Sequence, residues 1–375
     1  MTAAKHVVIV RSTPIAPEPR AQRTAVWLSQ SGWQVRILGW DRLADLPRDE
    51  KQERYTIVRL PIQAGFGLGF RMLWPLVRWQ FGLLLWLYRH RTTYGVVHAA
   101  DFDTILPAFF IAKVCRKRLV YDIYDFYSDS HIIPTFLARI VRGIERWLIS
   151  RADAVILVDE SRGEQIKGTT PKRLAVIYNT TESLTLPQVT RLPGRLQIAY
   201  VGILTLGRSL LELFEVLQHH SEWKLDLAGY GRDKALILDR SQHLPNVCFF
   251  GRIPYERAQI LLAQSDLMFA IYDPAIPNHR FASANKLFEA MMLGKPIIVA
   301  RDTGMDRIVQ EHKLGFVVSY GDLAALENAL ATVAAWDIEA RARFARHARQ
   351  VFDANYSSVL MGEKLARLYQ SLYAS

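Results

Sequence analysis

Asn278-His279-Arg280-Phe281-Ala282-Ser283-Ala284-Asn285-Lys286-Leu287-Phe288-Glu289-Ala290-Met291-Met292-Leu293-Gly294-Lys295-Pro296 runs directly into Ile297-Ile298-Val299-Ala300. A polar loop gives way to a helical period, a Gly-Lys-Pro turn stops it, and an unbroken apolar run follows. Such a run suits a parallel strand covered on both faces, so the stretch reads as the helix–strand half of a βαβ unit. The alternation recurs outward in both directions. Strands are predicted at 6–10, 35–39, 56–60, 95–98, 118–123, 153–158 and 174–178, then at 196–201, 224–228, 246–250, 266–272, 296–300 and 315–319. Helices are predicted at 20–31, 70–91, 103–116, 134–150, 207–219, 254–264, 283–293 and 322–335, with a helical tail from about 337 and a second segment near 356–373. This pattern means α/β architecture with doubly wound sheets. The 375 residues exceed what one core organises, and 180–195 carries no periodic pattern. Two Rossmann-like domains are therefore expected, 1–187 and 194–353, with a helix over 354–375 packing back toward the first. They are expected to face each other across a cleft at the carboxyl ends of their strands.

Composition narrows the function. Half the chain is apolar and 22% is charged, which excludes a disordered or fibrous protein. A formal charge of +11 favours an anionic partner: nucleic acid, phosphorylated metabolites or an acidic membrane. Two cysteines, Cys115 and Cys248, support neither a disulfide framework nor a Cys-rich zinc site, and a cytoplasmic setting is expected. The run Val7–Val10 is too short for a signal peptide. Phe81–Tyr88, closed by Arg89, is too short to span a bilayer.

Within the opening stretch, Ser283 is the expected N-cap, which puts Lys286 in the first helical turn. A cation there opposes the helix dipole by about 0.3–1 kcal/mol, a mismatch that an anion at that terminus would relieve. Glu289 lies one turn deeper on the same face, where its carboxylate can accept two hydrogen bonds from a ribose diol. A surface ion pair between Lys286 and Glu289 accounts for the spacing equally well. Further upstream, Gly202 to Arg208 follows a predicted strand, and Ser209-Leu210-Leu211-Glu212 has the form of a capping box. Arg208 is thus either a phosphate ligand or part of a strand-to-helix turn. Gly229-Tyr230-Gly231 lacks the third glycine of a dinucleotide fingerprint and reads as a place where backbone approaches a base.

The Ser-x-Asn-Lys-Leu-Phe-Glu-x-Met-x-x-Gly-Lys-Pro block resembles the retaining GT-B glycosyltransferases of the family 4 type, particularly bacterial polysaccharide enzymes. Other stretches are similar in order: Glu18-Pro19-Arg20, Gly32 through Arg42, Val97-His98-Ala99-Ala100-Asp101, Val120 through Asp125, Tyr200-Val201-Gly202, Leu227 through Gly231, and Phe250-Gly251-Arg252-Ile253-Pro254. The resemblance implies a GT-B fold and transfer of a sugar from a nucleoside-diphosphate donor, a UDP-sugar with GDP-mannose as the rival. Glu289 would bind the ribose hydroxyls, and Arg208 with Lys286 would neutralise the diphosphate without a metal or other cofactor. Gly202, Gly229, Gly231, Arg252, Asn285 and Leu287 would complete the donor site. Two departures stand out. Such enzymes often carry a second glutamate eight residues before the one at 289, where this chain has Phe281; Asp273 or His279 is expected to take over its contact. Tyr124-Asp125 stands where a His-Glu pair is common.

On the acceptor side, His98, Asp101 and Asp103 fall where strand 95–98 meets the next helix. Asp101-Phe102-Asp103 mimics a metal-binding DxD motif, but carboxylates at a helix start are good capping chemistry, and no metal is inferred. His98 reads either as a contact to substrate or as a satisfied core histidine. Arg20, Asp122, Tyr124 and Asp125 are the remaining acceptor-side candidates, with Asp125 placed to orient or deprotonate a hydroxyl. Residues 66–94 hold Phe66, Phe70, Trp74, Trp79, Phe81, Trp86, Tyr88 and Tyr94 with Arg71, Arg78, Arg89 and Arg91 and no acid. Trp74, Phe81 and Tyr88 share a helix face beside an arginine stripe. That pattern suits an interfacial helix on an anionic leaflet, on the inner face of the cytoplasmic membrane, serving a lipid-diphosphate-linked or glycan acceptor. A core helix is the competing reading.

No recognition motif supports nucleic acid as partner, and the missing glycine fingerprint counts against a nicotinamide dehydrogenase. A nucleotide-sugar epimerase and a non-catalytic nucleotide-sugar-binding subunit use the same frame and stay open.

Overall fold

The computed structural model describes residues 5–65, 73–127, 135–182 and 194–374. The chain divides into two compact units, Met1–Tyr178 with Met361–Ser375, and Asn179–Leu360.

The first unit contains β1 (His6–Arg11), α1 (Pro19–Gln30), β2 (Gln34–Asp41), β3 (Asp49–Lys51), β4 (Thr56–Pro61), α2 (Leu73–Arg89), β5 (Val96–Ala100), α3 (Phe102–Val114), β6 (Arg118–Ile123), α4 (Thr135–Ile149), β7 (Ala154–Leu157) and β8 (Leu174–Val176). Its sheet has the order β3-β4-β2-β1-β5-β6-β7-β8. It is parallel except for β3, a short polar edge strand antiparallel to β4. The central strands are buried over nearly their whole length because helices cover both faces. Trp79, fully buried in α2, stacks on Trp40 at 5.2 Å and joins Leu83, Trp86 and Leu87 in the core. Trp74, Phe81 and Tyr88 of the same helix are exposed by 68%, 70% and 46%, so α2 carries both an inner and an outer apolar stripe. Phe66, Phe70 and Arg71 lie outside the described residues.

The second unit contains β9 (Leu196–Ile203), α5 (Leu210–Gln218), β10 (Trp223–Tyr230), α6 (Lys234–Ser241), β11 (Val247–Phe249), α7 (Tyr255–Gln264), β12 (Leu267–Ala270), α8 (Asn285–Leu293), β13 (Ile297–Ala300), α9 (Met305–Glu311), β14 (Gly315–Val318), α10 (Leu323–Ala334) and α11 (Ile338–Val351). Its strands run parallel in the order β11-β10-β9-β12-β13-β14 around a core that includes Tyr200, Phe214, Leu225 and Phe269. A last helix, α12 (Ser358–Ser371), buries Met361, Leu365 and Tyr369, all in the first unit. The fold class expected from the sequence, two doubly wound α/β domains, is thus observed in each unit.

Topology locates the chemistry. In each sheet the chain winds outward from one central strand, then crosses to that strand's other side. The switch points fall between β1 and β5 and between β9 and β12. Open α/β sheets bind ligands at the carboxyl ends of such strands.

Candidate functional site

At the second unit's switch point, β9 ends in Gly202-Ile203 and a short 3-10 turn carries Leu206–Arg208. Arg208 lies over Tyr272, 3.5 Å from the ring centroid, two residues past the end of β12. Its Nε and Nη1 are buried and have no hydrogen-bond partner among the described residues. The Lys286 ammonium stands 4.9 Å from the Tyr200 ring centroid. It occupies the space above Gly202, where a Cβ would come within 2.7 Å of Nζ. Burial pulls the Lys286 ammonium down and Arg208 opposes it, yet Tyr272, Tyr200 and Glu289 outweigh both and hold its pKa above the usual lysine value. Two cations therefore stand close together against two aromatic rings, and neither forms an ion pair among the described residues.

The helix that presents Lys286 begins one residue later than the sequence suggests. Ala284, not Ser283, is the N-cap, and no side chain caps the helix. The capping box at Ser209 is likewise not formed. Ser209 adopts φ 49°, ψ 34°, which turns its hydroxyl away from the first turn of α5. Glu289 is buried at 7% exposure and accepts from the Tyr255 hydroxyl at 3.4 Å. Asn285 is exposed at the helix tip and Leu287 is buried beneath it.

Asp273 and His279 sit against Gly207, whose Cβ position lies 3.6 Å from each side chain. His279 Nδ1 donates to the Asp273 carbonyl at 3.0 Å. Burial first, and Arg208 second, lower the imidazole pKa, which favours the uncharged ring, with Nδ1 as the donor and Nε2 as an acceptor. Gly229 and Gly231 have a reason internal to the sheet. A Cβ on Gly229 would collide with the Gly202 carbonyl, and one on Gly231 with Leu204. The backbone they admit is that of β9 and the turn after it. Arg252 is exposed and stacks on Tyr230 at 4.8 Å.

In the first unit the strand ends hold a dense ionic cluster. His98 is fully buried; its ring nitrogens meet the Tyr369 hydroxyl at 2.7 Å and Asp122 at 3.2 Å. Arg20 bridges Asp122 and the Ile177 carbonyl, both at 2.8 Å. Burial works to raise the Asp122 carboxyl, but Arg20 and His98 hold it below the usual range. These are the surroundings of a satisfied core histidine. Asp101 does not cap α3. Its carboxylate pairs with Arg11 and accepts from the amides of Tyr124 at 2.8 Å and Asp125 at 3.1 Å. Burial pushes Asp101 up to about 6 against the pull of Arg11. Tyr124 lies between the Arg11 and Arg20 guanidiniums, 4.5 and 4.9 Å from its ring, and its buried hydroxyl has no partner among the described residues. Asp125 is 46% exposed and pairs with Arg162 at 2.9 Å. No group of three or more His, Cys, Asp or Glu among the described residues is arranged to hold a metal.

Residues 16–180 match the glycosyl transferase 4-like domain, and residues 194–351 match the glycosyl transferases group 1 domain. The chain belongs to the family 4-like GT-B glycosyltransferases. Sequence similarity reaches chitobiosyldiphosphodolichol beta-mannosyltransferase of Mus musculus, 30% identical over 138 residues, or 35% of this chain. The match spans 28% of that relative's length. Among solved structures, sucrose-phosphate synthase of Thermosynechococcus elongatus has a TM-score of 0.78 at 16% identity, covering 99% of both chains. HepE of Anabaena, solved with UDP and glucose, has a TM-score of 0.71 at 16% identity, covering 98% of this chain and 100% of its own.

Within this glycosyltransferase, Gly202, Arg208, Asp273, His279 and Lys286 are gathered at one switch point, with Glu289 a turn deeper on α8. Preorganised cations on an aromatic floor suit a departing diphosphate, whose negative charge grows as the glycosidic bond breaks. Sequence reasoning missed the aromatic floor, Tyr200 and Tyr272, and the hydroxyl Tyr255. It also missed Arg11, Arg162 and Tyr369, the partners of Asp101, Asp125 and His98. Tyr272 ends a predicted strand, the one local signal for it. The other partners lie too far along the chain for any spacing rule to pair them with their acids.

Proposed function

We propose that the protein is a retaining, metal-independent hexosyltransferase that moves a sugar from a nucleoside-diphosphate donor to a lipid-diphosphate-linked or glycan acceptor in cell-surface polysaccharide synthesis. The carrying observation is the Arg208 guanidinium, two of whose buried nitrogens have no partner among the described residues, close to the Lys286 ammonium at the same strand ends. Leaving such donors unmet is costly, and a diphosphate meets them. UDP is the expected nucleotide, supported by HepE, which was solved with UDP and glucose. Glu289 accepts from the ribose hydroxyls, and His279 Nε2 or Asp273 accepts from a sugar hydroxyl. In the transfer step the anomeric carbon–phosphate oxygen bond breaks as the acceptor oxygen bonds to the same face of the sugar. The acceptor proton passes to the departing phosphate, so no protein nucleophile is required. Asp125, half open to solvent, orients the acceptor hydroxyl. A lipid-linked acceptor is supported by the name of the mouse relative.

That name also favours a second reading, transfer of mannose with a β-linked product. From an α-linked donor such a product requires inversion, with Asp125 as the base.

The test is a mass-spectrometric and NMR assay of lipid-linked products against a panel of UDP-sugars and GDP-mannose. The retaining reading expects an α-linked product from an α-donor, and a Glu289→Ala variant at least about tenfold slower through loss of its hydrogen bonds to ribose. A β-linked product carries the second reading. An epimerised free nucleotide-sugar, or full biological activity of Glu289→Ala, replaces transfer with epimerisation or with a binding subunit.

A further inference from the structure

Helices α2, α3 and α4 lie on one face of the first unit's sheet, with α3 packed against both neighbours. Each buries an inner stripe and leaves an outer one uncovered. On α2 the outer stripe is led by Trp74 and Phe81. On α3 it is Leu106, Phe110 and Val114, spaced four apart and 41%, 55% and 58% exposed. On α4 it is Phe136, Leu137, Ile140, Ile144 and Trp147, all exposed and falling within an arc of about 100° on the helical period. Phe109 of α3 and Trp147 of α4 meet edge to face at 5.0 Å, so the stripes adjoin. No other set of neighbouring helices among the described residues collects exposed large apolar side chains on this scale.

The exposed charges on these helices have one sign. Arg78 and Arg89 on α2, Lys113 on α3, and Arg139 and Arg142 on α4 are exposed. The three helices carry two acids: Asp103 in the first turn of α3, and Glu145, fully buried and bonded to the Tyr121 hydroxyl at 2.8 Å. A second copy of the chain docked here would set cations against cations with little acid to meet them. A bilayer of anionic lipids offers acyl chains to the stripes and phosphates to the flanking arginines. No helix among the described residues is long and apolar enough to cross a membrane.

We propose that the outer surface of α2, α3 and α4 is a docking face for an anionic lipid bilayer, with α2 and α4 both lying in the interface. The face thereby extends beyond residues 66–94, and it does not depend on which sugar is transferred. The test is flotation of the full chain with phosphatidylcholine vesicles, with and without phosphatidylglycerol. The wild type is expected to float with the anionic vesicles at low salt. The double variant Phe136→Glu/Ile140→Glu is expected to lose about tenfold or more in partitioning, with its circular dichroism and UDP affinity unchanged. Arg139→Gln and Arg142→Gln are expected to cost roughly fivefold each, on anionic vesicles alone. Failure of the wild type to float, or an unaltered Phe136→Glu/Ile140→Glu variant, overturns the proposal. A concentration-dependent dimer in gel filtration, abolished by that same double variant, assigns the face to a second copy and also overturns it.

Discussion

Asp101 sits at φ 64°, ψ 170°, a region in which a side chain costs about 1–3 kcal/mol. Its carboxylate compensates by accepting from two backbone amides of the loop after β6 and pairing with Arg11. Because its folded pKa, about 6, lies above the ordinary aspartate value, ionisation works against the fold. The destabilising contribution is absent below about pH 4 and fully developed above about pH 6. Wild type is therefore expected to gain stability relative to Asp101→Asn as pH falls across that window, measured by urea unfolding at successive pH values; a difference that does not change with pH contradicts this account. Residue-scale legibility was uneven. Lys286 and Glu289 could be read because one helical turn fixes their relation. The Ser209 box was misread because Ser-x-x-Glu spacing says nothing of the left-handed φ that turns the hydroxyl away. The rings beneath Arg208 and Lys286 come from two different strand ends, which no local pattern pairs.

At the scale of elements, the predicted strands are all present, since buried parallel strands announce themselves as apolar runs. What the pattern did not carry was short or polar: the three-residue β3, and the helices α6 and α9 of eight and seven residues. The tight pairing of β9 with β10 rests on two glycines. Gly229 faces Gly202 in register at φ 147°, and a Cβ would meet the opposite carbonyl. Gly229→Ala is expected to destabilise the second unit by about 1–3 kcal/mol, read as a lower denaturation midpoint with the slope against denaturant unchanged. A midpoint equal to wild type would mean that the strands part to admit the methyl.

At the scale of the whole molecule, the net charge of +11 includes two separate basic features, a cation pair at the strand ends of the second unit and exposed basic residues beside apolar stripes in the first, which the proposals above assign to a diphosphate and to anionic lipid. The sequence reading already separated an arginine stripe at 66–94 from Arg208 and Lys286, but could not place α3 and α4 beside that stripe, because only the fold makes the three helices neighbours. The central claim is that Arg208 and Lys286 form the diphosphate half of a nucleotide-sugar cradle. Calorimetric titration of UDP and of uridine into wild type, Arg208→Ala and Lys286→Ala tests it most directly. The account predicts that UDP binds far more tightly than uridine and that each substitution weakens UDP by about 1.5–3 kcal/mol, leaving uridine little changed. Equal affinity for UDP and uridine, or variants that bind UDP as the wild type does, would contradict it.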